Sequence, residues 1–146
     1  MPFWDTSALV KLYVRERDSE RFVELARKSE TGATISQLSI HEMRCVLHRK
    51  EFGRAIAADT AEFTYRRFCR DVENAVLKLI PYGRDVALEF DRIVRACYRA
   101  RPVVPIRALD ALLLASALTA QMPDLVSTDL RMRDAGLLLG FRIFPS

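Results

Sequence analysis

The chain has 146 residues, 50% of them hydrophobic and 29% charged, with a formal net charge of +4. That balance excludes a disordered chain, and the length suits one domain, 1–146, with a single core. A membrane span is excluded too, because the longest apolar region, 108–120, is interrupted by Asp110, Ser116 and Thr119. No basic segment followed by an apolar run and a small-residue cleavage site opens the sequence, so a cytoplasmic location is expected.

Taken in chain order, "PFW" reads as a strand, and Asp5 stands where it gives way to a helical pattern around Ser7 to Val14. Phe22, Leu25 and Ala26 mark the next helix. "GATIS" at 32–36 is a second strand, followed by a helix with Met43, Val46 and Leu47 on its apolar face. "AVLKLIPY" at 75–82 is a third strand, and Val86, Phe90, Ile93, Val94 and Cys97 recur at helical spacing after it. "RPVVP" at 101–105 is a loop by its prolines; the helix beyond it, "ALDALLLASAL", is apolar on nearly every side. "DLVST" at 124–128, a short helix at "LRMRDAG" and "FRIF" at 141–144 complete the chain. Alternating strands and helices predict an α/β fold, a three-layer α/β/α sandwich around a central parallel sheet.

Ligands of such sheets sit beyond the carboxyl ends of the strands. Four acids fall at those junctions: Asp5, Glu42, Asp110 and Asp129. Each also has a structural explanation. Asp5 and Asp129 suit helix N-caps, Ser39 and Glu42 have capping-box spacing, and Asp110 suits the positive end of a helix dipole. Asp110 strains its explanation most, because a carboxylate in so apolar a helix needs a compensating charge. A divalent cation would compensate all four, and oxygen ligands of this kind suit Mg²⁺ or Mn²⁺. Asp124, which precedes its strand, and Asp134, beside Arg131 and Arg133, are expected to be solvated instead.

With these residues in order, the chain resembles the PIN-domain family, and within it the VapC-type ribonuclease toxins of toxin-antitoxin pairs. "WDTSALVKLYVRE", "ATISQLSIHEMR", "LDALLLASAL" and "LVSTDLRMRDAGLLLGFRIF" carry the likeness over essentially the whole length. The resemblance implies metal-dependent RNA cleavage by Asp5, Glu42, Asp110 and Asp129, with Thr6 and Ser127 as polar neighbours. It also implies a small antitoxin partner and a homodimer. Many members carry His where this chain has Leu113, a position that is not a metal ligand in the pattern. The readings set beside the toxin are a PIN nuclease of RNA processing and a non-catalytic RNA- or protein-binding PIN module.

Setting aside four site acids, the rest of the chain is distinctly basic. Arg66, Arg67, Arg70, Arg99, Arg101, Arg107, Arg131 and Arg133 are candidates for phosphate contacts, Arg107 and Arg131 foremost because they lie within a turn of Asp110 and Asp129. Solvated helix faces are the competing explanation. Other chemistries find little support. His41 and His48 lack zinc-hydrolase spacing, no phosphate-binding glycine loop or G-x-S-x-G elbow occurs, and a phosphatase or phospho-receiver would need a second acid close to Asp5. Cys45, Cys69 and Cys97 are too widely spaced for a zinc site and are expected to be buried thiols. The helix pair between Gln37 and Val72, with Phe52, Phe63, Tyr65 and Phe68, offers either a dimer surface or ordinary core.

Overall fold

The computed structural model describes residues 2–146. Its strands are β1 (Phe3–Trp4), β2 (Ala33–Ser36), β3 (Leu77–Ile80), β4 (Asp124–Val126) and β5 (Arg142–Phe144). Its helices are α1 (Thr6–Leu9), α2 (Ser19–Lys28), α3 (Leu38–Phe52), α4 (Thr60–Glu73), α5 (Arg84–Arg99), α6 (Ala108–Thr119) and α7 (Leu130–Leu138). The strands form one parallel sheet in the order β3-β2-β1-β4-β5. The expected α/β architecture is present.

Side-chain alternation along the short central strands builds the layers. Phe3, paired in register with Leu125, joins Val86, Ile93, Leu114 and Met132 on the face covered by α5, α6 and α7. Trp4, paired with Val126, faces the other way into a cluster with Leu9, Phe22, Met43 and Phe68. Trp4 and Phe22 meet edge to face, their ring centroids 6.3 Å apart. Helix α6 buries Ala111, Leu113, Leu114, Ala115, Ser116 and Ala117, as its all-round apolar sequence requires. Its one buried hydroxyl, Ser116, is satisfied by the Leu112 carbonyl at 3.0 Å and Ser36 Oγ at 3.1 Å.

Several sequence expectations are corrected here. The strands are shorter than their apolar runs, because only the residues paired in the ladder count as strand. The segment after Asp5 is one helical turn followed by a tighter 3-10 turn, Val10–Leu12, and does not continue as helix to Val14. Cys97 is buried, but Cys69 is half-buried and Cys45 exposed, since Cys45 falls on the outer face of α3; all three are free thiols. Asp124 is ion-paired with Arg142 at 2.6 Å, and its side chain is largely covered. In the α3–α4 pair Phe68 is core, whereas Phe52 and Phe63 are 92% and 61% exposed. Among the described residues, no helix is long and apolar enough to cross a membrane.

A charge cluster ties the turn after α1 to α3. Lys11 Nζ donates to Glu16 Oε2 at 2.6 Å and to Asp18 Oδ1 at 2.7 Å, and Lys50 donates to the other Glu16 oxygen. Partial burial pushes the Glu16 carboxyl up, but the hydrogen bonds from the two lysines outweigh it and hold its pKa below the ordinary value. A depressed folded-state pKa contributes stability above the unfolded value, and the contribution is lost as pH falls through the folded value. Glu16→Gln is therefore expected to lower stability by about 1 kcal/mol at neutral pH. Thermal melts across pH should show the gap between parent and variant shrinking once pH drops below 4.5, the ordinary value for this group.

Candidate metal and catalytic site

The chain runs outward from β1 through β2 to β3, then returns to place β4 on the other side of β1. The crevice at the carboxyl ends of β1 and β4 is thus a topological switch point, where open parallel sheets bind ligands. Asp5 immediately follows β1, and its backbone N–H donates to the Val126 carbonyl at 2.9 Å, which fixes it beside the end of β4. Asp129 follows β4 as the N-cap of α7. Glu42 lies in the second turn of α3, and Asp110 in the first turn of α6.

Hydroxyl groups orient two of these acids. Asp5 Oδ2 accepts from Ser7 Oγ at 2.6 Å and from Ser127 Oγ at 2.8 Å, and Ser127 Oγ also accepts from the Asp129 backbone N–H at 3.1 Å. Asp5 Oδ1 has no hydrogen-bond partner among the described residues, so it is the oxygen left to present to a ligand. Glu42 Oε1 accepts from Thr6 Oγ1 at 3.0 Å. The two expected supporting residues, Thr6 and Ser127, therefore sit against different acids. Ser7 was missed in the sequence. It accepts from the Thr128 N–H at 3.1 Å while donating to Asp5, and its signal was a serine two residues after an aspartate, a spacing suited to local side-chain hydrogen bonding.

The capping explanations divide. Asp129 does cap its helix, Oδ1 accepting from the N–H groups of Arg131 at 2.8 Å and Met132 at 3.2 Å. That leaves Oδ2 for other partners. Asp5 occupies an N-cap position but makes no side-chain cap bond. The Ser39–Glu42 capping box does not form, because Ser39 is already inside α3 and Ser36 Oγ accepts the free N–H of Leu38. Asp110 is held by Arg107, whose Nε donates to Oδ2 at 3.1 Å; Arg107 Nη2 lies 3.5 Å from Asp129 Oδ2.

Burial and mutual repulsion perturb the acids. Burial raises the Asp5 pKa; hydrogen bonds from Ser7 and Ser127 oppose the rise, and the charges of Asp110 and Asp129 add to it. Glu42 is pushed up to about 7, mainly by burial, with Asp5 and Asp110 adding to it against the Thr6 hydrogen bond. Among the described residues Arg107 is the single cation in ion-pair contact with any of the four. The pocket is short of positive charge, and its donors are carboxylate and hydroxyl oxygens, a set that fits a hard divalent cation. As the side chains stand, no three His, Cys, Asp or Glu groups among the described residues converge tightly enough to grip one ion. Arg107 takes up Oδ2 of both Asp110 and Asp129, and two serines take up Oδ2 of Asp5.

The arginines separate by their partners. Arg131 is exposed and makes no ion pair among the described residues. Arg133 is structural, donating to the carbonyls of Ser127 at 2.8 Å and Pro145 at 2.7 Å. Arg67 donates to the Tyr13 carbonyl and stacks over the Tyr13 ring, and Arg101 donates to the carbonyls of Tyr98 and Ala100. His41 and His48 lie on the exposed side of α3, and Asp134 is exposed as expected.

Solved structures share this arrangement of elements at low sequence identity. The sarcin-ricin loop cleaving toxin VapC20 of Mycobacterium tuberculosis superposes with a TM-score of 0.70 at 13% identity, covering 93% of this chain and 95% of that one. DNA-bound VapBC from Salmonella typhimurium gives 0.69 at 19% identity, over 98% and 96%. FitAcB from Neisseria gonorrhoeae gives 0.68 at 16% identity, over 99% and 96%. No curated protein matches the chain by sequence. The PIN domain matches residues 3–138, a span that contains all four acids, and the chain belongs to the PIN-domain family.

Proposed function

We propose that the protein is a Mg²⁺- or Mn²⁺-dependent endoribonuclease, the toxin of a toxin-antitoxin pair, with Asp5, Glu42, Asp110 and Asp129 as its catalytic and metal-holding residues. The observation that carries the reading is that four carboxylates from separate elements lie near enough at the β1–β4 crevice for Asp110 and Asp129 to raise the pKa of Asp5, and Asp5 and Asp110 that of Glu42, with one arginine in contact with two of them. A phosphodiester is itself negative, so such a pocket repels it unless a cation intervenes. A divalent ion held by these acids would supply Lewis-acid polarisation and would lower the pKa of a water so that, on losing a proton, it can attack phosphorus.

The chain's own residues do the rest. Asp5 presents Oδ1 because Ser7 and Ser127 hold Oδ2. Thr6 steadies Glu42 through its hydrogen bond to Oε1. Asp129, its Oδ1 committed to the α7 cap, offers Oδ2. Arg131, exposed at the start of α7, would contact the phosphates of an RNA strand. Solved relatives in fold include toxin-antitoxin complexes, among them one from Klebsiella pneumoniae, which supports an antitoxin partner. The exposed Phe52 and Phe63 are the apolar surface available to a homodimer on the α3–α4 pair.

Incubating RNA with the protein and Mn²⁺ tests the reading directly. Cleavage is expected, with loss on adding a chelator and recovery on restoring the metal. Asp5→Asn should stay folded by circular dichroism and be inactive; cleavage at the parent's rate by that variant would end the assignment. Ser127→Ala should weaken Mn²⁺ binding by roughly 10- to 100-fold, the usual consequence of removing a group that orients a ligand. Arg131→Ala should weaken RNA binding alike across sequences and lower the slope of log affinity against log salt by about 1, read by fluorescence anisotropy.

A further inference from the structure

The arginine within the acid pocket has an unusual placement. Arg107 precedes α6, and its guanidinium spans from Asp110 on that helix to Asp129 at the start of α7, using Nε for one carboxylate and Nη2 for the other. The partners differ greatly in exposure: the Asp110 side chain is 8% exposed and the Arg107 side chain 63%. The carboxylate is fixed by the buried helix that carries it. The guanidinium is mostly in water, so hydration compensates its departure, as for other exposed ion pairs.

We propose that Arg107 is a built-in counter-ion that holds Asp110 and Asp129 together when no divalent cation is bound and is displaced when one enters. A cation held by both acids must take Asp129 Oδ2, because Oδ1 is committed to the α7 cap, and the guanidinium faces that atom as well as Asp110 Oδ2, so the two positive groups compete there. The proposal rests on the metal-dependent reading above and adds regulation to it. At low cation concentration the guanidinium offsets part of the charge of Asp110 and Asp129. Entry of the cation frees a forked N–H donor at the mouth, a geometry suited to a phosphate. Loading with metal thereby makes an RNA-binding arginine available, and the two ligands bind in a favoured order.

Calorimetric titration of the full chain with Mn²⁺ tests this without reference to activity. Arg107→Ala is expected to bind Mn²⁺ roughly threefold to tenfold tighter than the parent, as follows from removing an exposed bridging competitor. Arg131→Ala removes the same charge from the same neighbourhood without touching the acids, and should shift affinity by under about twofold. In chelator, Arg107→Ala should melt below the parent, and saturating Mn²⁺ should erase that gap. Unchanged or weaker Mn²⁺ binding by Arg107→Ala would overturn the proposal, as would equal tightening in Arg131→Ala, which would mean a long-range charge effect alone. Absence of Mn²⁺ binding by the parent and both variants would overturn the metal-dependent reading as well, so the two failures are distinguishable.

Discussion

Like charges gathered in a partly buried pocket repel, and the crevice end of this molecule is organised around that repulsion. Asp5, Glu42, Asp110 and Asp129 come from four elements, and the sheet order brings β1 and β4 side by side so that Asp5 and Asp129 are linked through Ser127. Burial strengthens every interaction among them by lowering the local dielectric. Hydroxyl donors and one guanidinium relieve part of the strain, while burial first, and the neighbouring carboxylates after it, raise the pKa values of Asp5 and Glu42. Such a pocket has a strong electrostatic demand for a cation, and its oxygen donors select a hard one.

The two hydrophobic cores bear on that demand. Phe3 and Trp4 are adjacent, yet each is fully buried in a different layer, so β1 is clamped from both faces. Asp5 follows directly and inherits that rigidity. Asp110 gains its position from α6, which is buried on nearly every side. The carboxylates are therefore held in place by packing that has no electrostatic character, and the backbone cannot readily relax to separate them.

Much of this was legible in the sequence, for identifiable reasons. Strand runs and helical periodicity are backbone-level signals, and they placed Asp5 and Asp129 at the carboxyl ends of β1 and β4, where the structure has them. The misreadings concern side-chain choice. Ser39 and Glu42 have capping-box spacing, but Gln37 begins the helix and Thr6, remote in sequence, takes Glu42 instead. Asp124 looked solvated because Arg142, its partner, arrives from the neighbouring strand β5. Arg133 looked like a phosphate contact, yet it pins the carboxyl end of the chain through backbone carbonyls. Each miss involves a partner distant along the chain or a donor turned inward, which no local pattern encodes.

The Ser127 hydroxyl touches both Asp5 Oδ2 and the backbone N–H of Asp129. Two acids separated by most of the chain are joined through a single oxygen atom, and the Asp5 N–H bond to Val126 doubles the tie. They form one rigid jaw. Any adjustment of the pocket must then come from the opposing side, where Glu42 rides on helix α3.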